Sequence, residues 1–188
     1  MGDCCVEKNL EKNAVLKLDL ECDKVMSLKR CLERYDLQYK DLDKSIPLAS
    51  EFLAGTNYQR GSDVYTFVCF NATYSSLKGW QLRHLAGVTE MRFLLGAKTN
   101  EWSNKARKGQ ALLVPDGVWT HGCERIALEY DTGSYADKQL NDKIAAYAAT
   151  YAAQIWGSPS HTRVARLEEK FKAEGLGDSA RVLYATWW

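Results

Sequence analysis

From Trp80 onward the hydrophobic period switches repeatedly between the helical and the strand value, and this restricts the fold more than any other feature of the chain. Trp80 to about Ala97 carries apolar residues at helical spacing, with Gly87 inside at some loss of helix stability. Two strand candidates follow, residues 110–119 (QALLVPDGVW) and 124–131 (ERIALEYD), and the short join from Thr120 to Cys123 suits a hairpin. Ser134 with Asp137 three residues later has capping-box form, and the helix after it places Leu140, Ile144, Tyr147 and Tyr151 on one face. Residues 153–157 read as a strand, Ser160 to Ala173 as a helix with Val164, Leu167 and Phe171 on one side, and RVLYATW as a closing strand. Strand–helix–strand order of this kind builds a mixed or parallel sheet with covering helices. The predicted fold class is α/β, a mixed central sheet flanked by helices, over residues 79–188.

Residues 1–78 read as a separate α/β extension. Leu16, Leu18, Leu20 and Cys22 alternate with Lys17, Asp19 and Glu21, which predicts a half-buried strand over 14–22. Val25, Leu28 and Leu32 predict a helix from Asp23 to about Arg34. Pro47 predicts the start of a short apolar helix, LASEFLA, closed by Gly55. The run DVYTFVCFNAT (63–73) is rich in β-branched and aromatic residues and predicts a second strand.

Composition narrows the function classes. The 188 residues carry 25 basic and 24 acidic side chains, a formal net charge of +1, which argues against a uniformly basic nucleic-acid coat and leaves room for a local patch. Such a patch lies between Lys98 and Lys108, with Lys105, Arg107, Lys108 and the stacking ring of Trp102. The six cysteines show no C-x-x-C spacing and the three histidines are scattered, so reduced thiols packed as small hydrophobes are expected rather than a zinc site. No apolar run approaches the length of a membrane helix, and Met1 to Lys8 is polar and charged, so a cytoplasmic protein without membrane contact is expected. The closing Trp187–Trp188 pair predicts docking back onto the domain or an oligomer contact.

The chemistry-bearing residues sit where the two middle strands end. Alternation points Glu129 and Asp131 to one side and Tyr130 to the other, and pairing through the turn at His121 brings Asp116 toward Glu129. Converging carboxylates at strand ends suit Mg²⁺, a hard ion that keeps several waters and can polarise a scissile phosphate. The competing reading is a set of solvated hairpin carboxylates, since Pro-Asp-Gly is also an ordinary turn signal.

Six collinear segments resemble a known family: HLAGVTEMRFLL (84–95), LLVPDGVW (112–119), IALEYDTG (126–133), LNDKIAAYA (140–148), SPSHTRVARLEEKF (158–171) and the final VLYATWW. Together they resemble the nuclease-like portion of the replication-relaxation proteins of plasmids and mobile elements. The resemblance implies a restriction-endonuclease-like, PD-(D/E)xK core with Asp116 as the PD aspartate, Glu129 as the following acidic residue and Glu90 as an acidic residue from the first helix. The candidate Mg²⁺ ligands are the converging carboxylates Asp116, Glu129 and Asp131. The sequence departs from that pattern at Asp131, which stands where the catalytic lysine belongs. Lys143 on the following helix is the candidate replacement, with Lys138 second. Arg163, near the start of a helix, stands where a phosphate or carboxylate contact would be natural and is a nucleic-acid-binding candidate. The implied function is Mg²⁺-dependent cleavage of DNA in plasmid or phage replication or mobilisation. The alternative is a catalytically inactive nuclease-fold protein that binds DNA or a protein partner, including a second copy of itself.

Overall fold

The computed structural model describes residues 3–56, 59–104 and 113–188, and it divides into two compact units. The first comprises residues 1–89 together with Trp187 and Trp188, and the second comprises residues 90–186. The division falls inside one long helix rather than at its start.

In the first unit, α1 spans Asp3–Asp23, β1 Val25–Ser27, α2 Leu28–Tyr35, β2 Leu48–Thr56, β3 Gln59–Cys69 and α3 Ala72–Ser75, and α4 (Gly79–Leu95) begins. The expected strand over 14–22 is helix. Its residues are mostly Leu, Lys, Glu and Ala, strong helix formers, and Val15 is the one β-branched residue among them. The buried positions run Asn13, Leu16, Leu20 and Asp23, a helical stripe, while Leu18 is 65% exposed. The expected helix over 23–34 begins as strand β1 and becomes helical at Leu28, where the Ser27 hydroxyl accepts the Arg30 N–H at 3.3 Å.

The short helix expected after Pro47 is also corrected. Those residues form β2, paired antiparallel with β3 from Leu48↔Val68 to Thr56↔Gln59. A long β-branched and aromatic strand needs a partner for its backbone, and this demand overrides a weak local helix signal. The three-stranded order is β1-β3-β2. Trp187 is buried and packs on Tyr65 (ring centroids 4.9 Å) and Phe67 (5.5 Å), so the terminal tryptophan docks back on this sheet.

In the second unit, β4 (Trp102–Ser103), β5 (Gly117–His121), β6 (Glu124–Tyr130), β7 (Ala153–Ser158) and β8 (Ala180–Tyr184) form one sheet in sequence order. The β4–β5 and β5–β6 pairings are antiparallel, and the β6–β7 and β7–β8 pairings are parallel. Helices α5 (Asp137–Thr150) and α6 (His161–Ala173) make the two crossovers. The mixed sheet flanked by helices agrees with expectation. The hairpin turn is tighter than expected, with His121 opposite Glu124 and Gly122 at φ +62°.

Alternation along the strands sorts the two faces of this sheet. Ala127 and Trp156 pack with Leu140, Ile144 and Tyr147 of α5 and Leu167 and Phe171 of α6. Gly157 and Tyr130 face the other way, toward Met91 at the end of α4. A Cβ at Gly157 would stand 2.5 Å from the Met91 sulfur, so glycine permits that close approach. Glu129, two residues from Ala127, therefore projects into the layer of α5 and α6.

Candidate functional site

Three carboxylates meet at the end of β6, and each is held by a different device. Strand β5 begins at Gly117, opposite Leu128, so no β5 backbone lies beside the outward N–H of Tyr130. The Asp116 carboxylate takes that role, accepting the Tyr130 N–H at 2.8 Å. Asp116 thus extends the sheet by one hydrogen bond beyond its last backbone pair.

Glu129 is fully buried. Its Oε1 accepts from the Lys143 ammonium at 2.6 Å and from the Tyr135 hydroxyl, and its Oε2 accepts from the Tyr147 hydroxyl at 2.6 Å. Lys143 and Tyr147 are four residues apart on α5, so one helix face presents both. Burial, with the charge of Asp116 beside it, pushes the Glu129 carboxyl up to about 7, against the pull of Lys143 and Tyr135. Burial and the same carboxylates push the hydroxyls of Tyr135 and Tyr147 upward, so both remain proton donors. A charge taken this far from water survives because its lone pairs are satisfied on every side.

Asp131 is equally buried. Its Oδ1 accepts the Gly133 N–H at 2.7 Å, closing a turn in which Gly133 sits at φ +86°. Its Oδ2 accepts from Arg163 Nε at 2.7 Å. Arg163 Nη2 stands 2.6 Å from the same oxygen without meeting hydrogen-bond geometry, so Nε carries the directed bond and Nη2 adds Coulombic attraction. Two buried ion pairs, Glu129–Lys143 and Asp131–Arg163, thus tie the end of β6 to α5 and to α6.

The expected constellation is assembled in part. Asp116, Glu129 and Lys143 come together, and Lys143 reaches the carboxylate instead of snorkelling to water. Lys138 instead pairs at the surface with Asp142 at 2.7 Å. Glu90 is buried on α4, but its neighbour Met91 packs on the Gly157–Tyr130 face, opposite the face from which Glu129 projects. Arg163, expected at a phosphate or a carboxylate, pairs inside the domain with the Asp131 carboxylate. Lys105, Arg107 and Lys108 lie outside the described residues.

The donor set does not fit Mg²⁺ as folded. Mg²⁺ keeps several waters and needs open oxygens in octahedral array. Glu129 and Asp131 have no exposed surface, and all four of their carboxylate oxygens already accept from protein donors. Among the described residues no group of three or more His, Cys, Asp or Glu side chains is arranged to hold a metal ion. Among the described residues Cys22, Cys31, Cys69 and Cys123 form no disulfide, and burial pushes the thiols of Cys31 and Cys69 up to about 12. No described helix is long and apolar enough to cross a membrane.

Sequence reasoning assigned Tyr147 to the core and overlooked Tyr135. The available signal was a glutamate flanked by core residues on a strand, which obliges donors nearby, and a tyrosine four residues after a lysine on a helix facing it. No curated protein and no solved structure matches the chain. Residues 71–163, just under half of the chain and containing every member of both buried ion pairs, match the family model described as Replication-relaxation, which supports the replication-relaxation family for this protein.

Proposed function

We propose that this protein acts in plasmid or mobile-element replication or mobilisation as a non-cleaving, DNA-binding accessory, with its acidic cluster serving as a structural core. The family match supports the biological setting. One observation carries the non-cleaving reading: Glu129, the residue cast as catalytic, is fully buried with both oxygens satisfied by Lys143, Tyr135 and Tyr147. A general base or metal ligand must be open to a water or a phosphate, and this carboxylate has no exposed surface.

A second reading, a Mg²⁺-dependent endonuclease with a PD-(D/E)xK core, draws on the juxtaposition of Asp116, Glu129 and Lys143. A cation beside two carboxylates is the arrangement that would favour hydroxide at phosphorus. The two readings separate in one assay. Supercoiled and single-stranded DNA are incubated with Mg²⁺ or Mn²⁺ and the wild type, Asp116→Ala or Glu129→Gln, and the same DNA is tested for retention at low salt. The expected result is retention without nicking by any of the three. Nicking by wild type that vanishes in both variants decides for the nuclease. No retention at low salt would instead favour a protein partner, for which the exposed Phe52 and Val64, opposite each other on β2 and β3, are the motivating surface.

A further inference from the structure

We infer that the outward face of α1 is a docking surface for a basic amphipathic helix of a partner protein, with one lysine or arginine of that helix entering the cleft beside Leu10. The inference goes beyond the DNA-binding reading and does not depend on it.

At about 100° per residue, Leu16 and Leu20 fall on one side of α1 and Leu10, Ala14 and Leu18 on the other. The first two are buried, whereas Leu10 and Leu18 are each 65% exposed and Val15 is 52% exposed. Spacing by four makes Leu10, Ala14 and Leu18 a continuous ridge about 12 Å long, the kind that packs into the grooves of another helix. Single exposed leucines are ordinary on a protein surface. A row of apolar side chains at ridge spacing, on a helix whose other side already meets the core, is a second apolar face.

Charge decides what covers it. Glu7, Glu11 and Glu21 are exposed alongside the ridge, and among the described residues no cation pairs with their carboxylates. Two lysines of the same helix are drawn elsewhere, Lys12 to Asp36 and Lys17 to Asp43, which leaves Lys8 against three glutamates. A second copy of the chain would set these carboxylates against their own kind, and nucleic acid or an anionic membrane would meet the same repulsion. A helix with Lys or Arg flanking its apolar stripe neutralises them instead.

The cleft beside the ridge has the same sign. It measures about 240 Å³ and is lined by Asn9, Leu10, Asn13, Asp41 and Asp43. Asn13 is spent within the fold: its amide donates to the carbonyls of Asn9 at 2.7 Å and Asp41 at 2.9 Å and accepts the Asp43 N–H at 2.9 Å. Asp43 accepts from Lys17 at 2.6 Å and from the Ser45 N–H at 2.8 Å. The Asp41 carboxylate, at the end of the 3-10 turn Tyr39–Asp41, takes no donor among the described residues. An apolar wall at Leu10 and an unpaired carboxylate at Asp41 match the stem and the head of a lysine or arginine side chain.

The test uses the full chain and, as the probe, a fluorescein-labelled helical peptide of about 18 residues with Leu at every fourth position and Lys or Arg on both flanks. Binding is read by fluorescence anisotropy. Wild type is expected to bind the peptide one to one, more weakly as salt rises, and to ignore a version with Glu in place of the basic residues. Leu10→Gln/Leu18→Gln, both at exposed positions, is expected to lose at least about tenfold in affinity. Glu7→Gln/Glu11→Gln/Glu21→Gln is expected to lose about tenfold and Asp41→Asn about threefold. Phe52→Ser, on the β2–β3 surface, is expected to bind as wild type does. Circular dichroism confirms the fold of each variant, and sedimentation velocity reports its oligomeric state. The proposal is overturned if wild type fails to bind the basic peptide or binds the acidic one equally. It is also overturned if the double leucine variant or Asp41→Asn keeps full affinity, or if wild type self-associates and Leu10→Gln/Leu18→Gln disperses it. Failure of the functional reading is distinct, because nicking and retention of DNA are read on wild type without the peptide.

Discussion

Two ion pairs of the first unit and two of the second use charge in opposite ways. In the first unit, the pairs Lys12–Asp36 at 2.9 Å and Lys17–Asp43 at 2.6 Å lie at the surface, with side chains from 31% to 96% exposed. In the second, Glu129–Lys143 and Asp131–Arg163 are as short but have no more than 9% of any side chain exposed. Similar distances therefore carry very different consequences. A surface pair is screened by water and salt, and losing it leaves two solvated charges. Losing one partner of a buried pair strands a charge in a low-dielectric interior.

The largest effect in this comparison is expected at Arg163. Arg163→Ala leaves Asp131 buried without its cation and should destabilise the protein by about 3–5 kcal/mol, measured by urea unfolding. A loss below about 1 kcal/mol would place that pair with the surface ones and erase the contrast.

An intermediate effect is expected from pH. The folded-state Glu129 carboxyl lies at about 7, above its ordinary value of 4.5, so the folded protein holds this proton more tightly than the unfolded chain. The stabilisation from the bound proton is complete below about pH 4.5 and is lost as pH rises through 7, by an amount on the order of 1–3 kcal/mol. Glu129→Gln should flatten unfolding free energy against pH across that window. An identical slope in the variant would assign the titration to another group. At the first unit, Lys17 holds the exposed Asp43 carboxyl down at about 2. Even so, Lys17→Ala should change stability by less than about 1 kcal/mol, with the difference shrinking further in high salt.

The units also differ in how much of them was legible in the sequence. From Trp80 the periods were long and the strands rich in Val, Ile and Tyr, and the expected elements appear in order, although the strand expected over 110–119 starts at Gly117 and its residues 110–112 lie outside the described residues. Near the start, Leu16, Leu18 and Leu20 satisfied a strand pattern over too short a window, while the composition favoured helix. After Pro47, pairing to β3 decided the outcome, and pairing is not a local property. At the site, Asp116 and Glu129 were legible because one hairpin joins them, and Lys143 because it follows on the next element. The partner of Arg163 was not, because Asp131 lies 32 residues away across a crossover. Asp131, read as occupying a missing lysine's position, is an acid that requires its own cation. Tyr135 escaped notice because a loop residue has no periodicity to reveal what it touches.

The central claim is that the Glu129–Lys143 pair is part of the domain's structure rather than its reaction centre. Residues kept for chemistry often diminish stability, and replacing them often leaves a protein as stable or more so. A double-mutant cycle by urea unfolding at pH 8 compares wild type, Lys143→Met, Glu129→Gln and the double variant. The account predicts that Lys143→Met loses about 3–5 kcal/mol and that the double variant recovers at least half of it, because no charge is then stranded. A Lys143→Met protein as stable as wild type would contradict it.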